Sequence, residues 1–129
     1  MGQTYIATCR KCGNLFGYSE GGGFHFHLLH CDTCGAEKTV NHKALGEIHL
    51  RFIKGLDRPY CGVSAKHDRS VQKHYRGTPI SEKDYFTAIE EFAGRCACGG
   101  KYTLKASPRC SKCKSLEVDI SDYSIRMYD

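Results

Sequence analysis

Nine cysteines in a chain of 129 residues constrain this fold more than any other feature. Eight of them fall into four close pairs: Cys9-x-x-Cys12, Cys31-x-x-Cys34, Cys96-x-Cys98 and Cys110-x-x-Cys113. Cys61 stands alone. A tight turn around such a pair points two thiolates at one ion, and a second turn alongside completes a tetrahedron of sulfurs. The N-terminus, Met1-Gly2-Gln3-Thr4-Tyr5, has no basic region followed by an apolar core, so a secretory leader is not expected. In that setting paired short spacings read as metal sites rather than disulfides. Gly13, Gly35 and Gly99 follow the second cysteine of their pairs, where the turn calls for a positive φ; Lys114 breaks the pattern. The order along the chain predicts two Zn²⁺ sites. Cys9, Cys12, Cys31 and Cys34 would form the first, and Cys96, Cys98, Cys110 and Cys113 the second.

The rest of the composition explains why metal is needed. Leu, Ile, Val and Phe together number 25 of 129, about 19%, near the level at which chains fail to build a core. A chain of this size with so little aliphatic mass needs a second source of stability. Apolar stretches are only a few residues long, so no membrane-spanning helix is expected and the protein reads as cytoplasmic.

Tyr5, Cys9, Cys12-Gly13, Phe16, Cys31 and Cys34-Gly35 resemble the N-terminal ribbon of the formamidase-regulator family, and also the two knuckles of rubredoxin. The second resemblance implies that iron could replace zinc at the first site and carry electrons. Cys96-Ala97-Cys98-Gly99-Gly100 and Pro108-Arg109-Cys110-Ser111-Lys112-Cys113 are similar to C-terminal zinc ribbons of bacterial and archaeal proteins, several of which handle nucleic acid.

Between the ribbons the pattern changes. Residues 23 to 29 alternate as a strand, with Phe24, Phe26 and Leu28 on one face and His25, His27 and Leu29 on the other. Partner strands are expected over 4 to 8 and 14 to 18. Lys43 to Lys54 predicts a helix stopped by Gly55, and Asp68 to Arg76 a short polar one. Ser81-x-x-Asp84 opens a third helix, with Tyr85, Phe86, Ile89, Phe92 and Ala93 as its apolar stripe and Gly94 as its stop. Strands are expected over 101 to 105, 116 to 120 and 123 to 128. The fold class is therefore a small metal-stabilised α+β protein: two zinc ribbons joined by two to three helices. Its divisions are an N-terminal ribbon over 1–40, a helical segment over 41–94 packed on the ribbons, and a C-terminal ribbon over 95–129.

Seven histidines invite a further site. Cys61, His67 and His74 would supply three ligands and an open position, but the bland reading is a structural thiol and two surface imidazoles. His25 and His27 read as exposed or supporting residues, and His30 sits beside an already complete set of four. No nucleophile elbow, phosphate loop or His-Glu-x-x-His is present, so neither an enzyme nor a small-molecule substrate is expected.

The formal charge of +5 is unevenly spread. Residues 95 to 115 carry Arg95, Lys101, Lys105, Arg109, Lys112 and Lys114 with no acid. Lys101, Tyr102, Lys105, Arg109, Lys112 and Lys114 are the candidate nucleic-acid contacts, the cations for phosphate and the tyrosine for a base. Cations near a four-thiolate zinc centre also offset its charge of about −2. The expected function is a non-enzymatic zinc-binding adaptor or regulator whose partner is nucleic acid or another protein.

Overall fold

The computed structural model describes residues 2–128. The chain begins with two hairpins. β1 (Gly2–Cys9) and β2 (Leu15–Glu20) form the first, and β3 (Phe26–Cys31) and β4 (Glu37–Asn41) the second. Four helices follow: α1 (His42–Leu45), α2 (Glu47–Gly55), α3 (Ala65–His74) and α4 (Glu82–Ala93). The chain returns through β5 (Tyr102–Thr103) and β6 (Val118–Tyr128).

The two sheets have the same plan. The first has the strand order β2-β1-β6 and the second β4-β3-β5, so each N-terminal hairpin gains one strand from the end of the chain. All pairings are antiparallel. The topology is nested: the outer hairpin joins the last strand and the inner hairpin joins the one before it. Self-contained ribbons over 1–40 and 95–129 are therefore not what forms. The sequence reading placed both knuckles of each ribbon within one stretch. Instead, each close cysteine pair of the first 40 residues lies at the tip of its own hairpin, so its partner must come from elsewhere.

Sheet β4-β3-β5 lies between the other sheet and the helices. β3 is buried along most of its length, which differs from the one-sided strand expected. His27 and Leu29 face the helices, opposite Val40 and Lys38 of β4. Phe26 and His30 face the first sheet, where they stack on Tyr128 and Tyr18 with ring centroids 6.0 and 5.1 Å apart. The main core is Leu29, Val40, Leu45, Phe52, Ile53, Tyr85, Ile89 and Ala93. The face that sequence alternation gives to Phe26 and Leu28 is thus the one turned away from the helices. The helices cover the side that also carries a histidine, which hydropathy alone disfavours.

α4 starts as its sequence requires: the Ser81 hydroxyl accepts from the Asp84 amide at 3.1 Å, and Gly94 ends it at φ 75°. Tyr85, Ile89 and Ala93, one turn apart, are its buried stripe, whereas Phe92 is exposed. The single helix expected over Lys43–Lys54 is broken at Gly46, whose φ of 59° and ψ of −123° interrupt the ladder. α3 starts three residues before the expected Asp68. The strands expected over 116–120 and 123–128 are one long β6, with register irregularities against β1 at Thr4/Tyr5 and Tyr5/Ala7.

Candidate metal centres

The four close cysteine pairs build four near-identical turns. In each, the amide after the second cysteine donates to the carbonyl of the first: Gly13 to Cys9, Gly35 to Cys31, Gly99 to Cys96 and Lys114 to Cys110, at 2.9 to 3.0 Å. All four donors have positive φ, at 75°, 77°, 92° and 65°. Lys114 is the non-glycine residue in this set and holds the same conformation. The turns aim further amides at sulfur. Cys12 donates to Cys9 Sγ at 3.4 Å, and Lys112 and Cys113 donate to Cys110 Sγ at 3.3 and 3.4 Å. Thr33 and Cys34 do the same for Cys31 Sγ.

These turns meet in pairs, but not the expected pairs. Cys9 and Cys12 join Cys110 and Cys113, while Cys31 and Cys34 join Cys96 and Cys98. All eight expected ligand residues stand in four-cysteine groups that could hold a metal ion; the grouping is corrected. The cause is strand pairing. β1 against β6 carries the first knuckle to the last, with Arg10 N–H donating to Glu117 at 2.8 Å. β3 against β5 does the same for the inner pair, where Asp32 N–H donates to Lys101 at 2.9 Å.

Distances between sulfurs fit an ion. Cys9 and Cys113 Sγ are 3.5 Å apart, Cys12 and Cys110 3.6 Å, Cys31 and Cys98 3.4 Å, and Cys34 and Cys96 3.6 Å. A tetrahedron with metal–sulfur bonds of about 2.3 Å has sulfur–sulfur edges of about 3.8 Å. All nine cysteines are free thiols.

Acidity points the same way. Backbone N–H from Cys98, helped by the Tyr102 hydroxyl, brings Cys96 down to about 6. Burial pushes Cys110 up, but the amides of Cys113 and Lys112 outweigh it and leave it at about 6. The neighbouring thiols behave oppositely. Cys12 accepts from the Asn14 backbone, yet burial and the sulfurs of Cys110, Cys113 and Cys9 raise it to about 11. Cys98 likewise rises to about 12, against the Gly100 amide, beside Cys31 and Cys34. Within each group one thiol is thus made more acidic and a neighbour less so, and a divalent cation would hold all four as thiolates.

Arg109 ties the centres together. Its Nε donates to the Asp32 carbonyl at 2.8 Å and another guanidinium nitrogen to the Lys114 carbonyl at 2.9 Å, one knuckle of each group. Arg109 is therefore a brace, not the free cation expected of a nucleic-acid contact. Tyr102 is committed too: it packs on the core, Lys38 Nζ lies 5.2 Å from its ring centroid, and its hydroxyl bonds Cys96. Lys101 is exposed beside the inner group, Lys105 is exposed just past β5, and Lys112 and Lys114 are exposed at the outer group. The crossed pairing puts Lys112 and Lys114 on the same cysteine group as Arg10 and Lys11, a grouping that segment-by-segment charge does not show.

Cys61, His67 and His74 do not converge on one point. Cys61 Sγ lies 3.1 Å from Ser64 Oγ, His67 Nδ1 lies 3.2 Å from Asp68 Oδ1, and His74 is exposed at the end of α3. A different trio does converge. His27 on β3, His42 on α1 and His49 on α2 place one ring nitrogen each within 4.8 Å of one another. His27 and His49 are buried, so the exposed alternative expected for His27 does not hold. Burial lowers His27 to about 4, His49 to about 4 and His42 to about 3, so all three rings are neutral. Tyr85 Oη lies 2.8 Å from His27 Nε2 and 2.6 Å from His49 Nδ1. In sequence the trio leaves no motif, because a strand and two helices bring it together across the break at Gly46.

No helix among the described residues is long and apolar enough to cross a membrane. No curated protein and no solved structure matches the chain. A family model does, over residues 5–119, a span that begins just before the first knuckle and ends just past the last. The chain belongs to the family described as "Domain of unknown function (DUF8255)".

Proposed function

We propose that the protein is a non-enzymatic zinc-binding adaptor, in which two structural Zn²⁺ ions hold a nested pair of ribbons and the outer centre contacts nucleic-acid phosphate. Two closed four-thiolate sets are the donor arrangement of structural zinc, and the same set also accepts iron, so the metal is read from its colour. Colour separates the two: zinc is colourless, whereas an iron–sulfur tetrahedron absorbs visible light. Metal analysis of the purified protein should return two zinc ions per chain, and visible absorption with bound iron would contradict this.

The observation that carries the nucleic-acid reading is the convergence of Arg10, Lys11, Lys112 and Lys114 on the turns of one centre, all exposed. The equivalent turn positions of the inner centre hold Asp32, Thr33 and Ala97. The turns of the outer centre thus carry four cations, and those of the inner centre carry none. Arg10 has an exposed ion pair with Asp119 at 3.7 Å, which phosphate can displace at little cost. Binding to single-stranded nucleic acid should weaken with salt at a slope of about −0.7 per phosphate contact. Replacing Lys11 and Lys112 with alanine should flatten that slope by one to two such contacts. An absence of salt-sensitive binding at low ionic strength would end this reading.

A second reading rests on a different surface. Tyr123, Ile125 and Met127 on the edge strand β6 are 81%, 59% and 63% exposed. Exposed apolar residues on an unpaired strand edge suit a protein partner. A nuclease-treated pull-down that recovers a stoichiometric partner from wild type, but not from Tyr123→Ser/Ile125→Ser, supports it. Recovery of no partner counts against it.

A further inference from the structure

We infer that His27, His42 and His49 form a third metal site, independent of the thiolate centres, that takes one borderline divalent transition ion such as Zn²⁺, Co²⁺ or Cu²⁺ and leaves a coordination position open. Neutral imidazole is the ligand these ions share. Three rings with nitrogens within 4.8 Å of one another can close on one ion with small side-chain adjustments. Three protein ligands leave the fourth tetrahedral position for water or an anion.

The surroundings match what such a site needs. His42 Nε2 is buried and has no hydrogen-bond partner, so the cluster does not satisfy itself. Tyr85 Oη contacts His27 Nε2 and His49 Nδ1, so when the metal takes the other nitrogen of each ring, both of these donate to the hydroxyl oxygen and the two rings are held in place. Tyr60 walls the cluster, its ring edge-on to those of His42 and His49 at 5.5 and 5.9 Å between centroids. Negative charge lies close by. Asp68 is 1% exposed, and its carboxylate is held by the Tyr60 amide at 2.8 Å and the Ser64 hydroxyl at 2.6 Å. Among the described residues its cation-capable contact is His67, whose side chain is mostly in solvent. An ion on the imidazoles would give this buried carboxylate a counter-charge. Access exists too: a cleft of about 540 Å³ is lined by His42, His49, Val63, Ser64, His67 and Asp68.

A purely hydrogen-bonded histidine–tyrosine core is the competing account. It explains the two contacts of Tyr85 but leaves His42 Nε2 buried and unpaired.

The test starts from full-length protein that retains its two thiolate-bound ions and adds Co²⁺. A third equivalent should bind without a thiolate-to-cobalt charge-transfer band. It should perturb the ring resonances of His27, His42 and His49 most strongly, and leave that of His74, at the far end of α3, in place. His42→Gln should weaken this equivalent at least about tenfold, and Tyr85→Phe about ten- to a hundredfold, with both thiolate sites still filled. The proposal is overturned if no third equivalent binds, if it carries a thiolate band, or if it perturbs the surface histidines instead. Equal binding by folded His42→Gln also overturns it. Should that variant not fold, the wild-type resonances decide alone.

Discussion

Gly13 and Gly35 show how much a single residue's surroundings can be predicted from its backbone. Both hold a left-handed turn after a cysteine pair, at φ 75° and 77°. A Cβ at Gly13 would meet nothing within 4 Å, whereas at Gly35 it would lie 3.0 Å from Arg109 Cβ. Gly13→Ala should therefore cost only the left-handed strain, about 1–2 kcal/mol. Gly35→Ala should cost more, because it also displaces the brace between the centres; paired thermal or urea unfolding measures the difference. Equal losses would show that Arg109 braces nothing. Histidine supplies a second residue-scale prediction. His27, His42 and His49 sit at about 4, 3 and 4 when folded, against 6.5 as ordinary imidazoles. Below pH 6.5 the unfolded chain takes up protons that the folded chain refuses, so stability is full above that value and falls as pH drops toward 4. A bound metal ion gives the same sign, since protons then compete with it. The readout is the difference in acid sensitivity between wild type and His42→Gln, which should lose stability less steeply; parallel curves would contradict the assignment.

Elements were legible where their signals are local. α4 shows its cap, stripe and stop in sequence, and the structure keeps all three, with only Phe92 turned to solvent. Its buried stripe makes Ile89→Ala an expected loss of about 2–5 kcal/mol. A loss under 1 kcal/mol, roughly that of a surface change, would mean α4 does not carry the core. The break between α1 and α2 was not legible, because Gly46 lies inside an otherwise helical pattern and a lone glycine there is usually tolerated. Its effect is large. In a continuous helix His42 and His49 would be about 10.5 Å apart along the axis. With the break their ring centroids are 4.2 Å apart and nearly parallel. Gly46 has φ 59°, and a Cβ there would meet nothing within 4 Å. Gly46→Ala should thus cost about 1–2 kcal/mol from strain alone, and should pull the two imidazoles apart by favouring a straight helix. Unfolding and histidine ring spectra together check this; unchanged spectra would show that the break does not position the rings.

For the whole molecule, the lesson concerns distance along the chain. Which residues could bind metal is written in spacings of one or two residues, and all eight thiols stand in the groups those spacings suggest. Which pairs face one another is written in the pairing of β1 with β6 and of β3 with β5, across most of the chain. No local pattern encodes that, so a reading along the sequence closes each site with its nearest neighbour. Nesting also changes the electrostatics: the basic knuckles of both ends gather at the outer centre. An ion bound at the outer group would further tie β1 to β6. Metal binding at such sites is worth on the order of 10 kcal/mol. Cys12→Ser and Cys110→Ser, 98 residues apart, should therefore have the same effect, releasing β6 from β1. Hydrogen exchange in β1 and β6 would detect it, and protection lost at β3 instead would contradict it.

The nested pairing is the central claim, and cadmium-substituted protein tests it most directly, through NMR correlations from each cadmium to the β-protons of its cysteines. One ion should correlate with Cys9, Cys12, Cys110 and Cys113, and the other with Cys31, Cys34, Cys96 and Cys98. A single ion that correlates with Cys9, Cys12, Cys31 and Cys34 would contradict it.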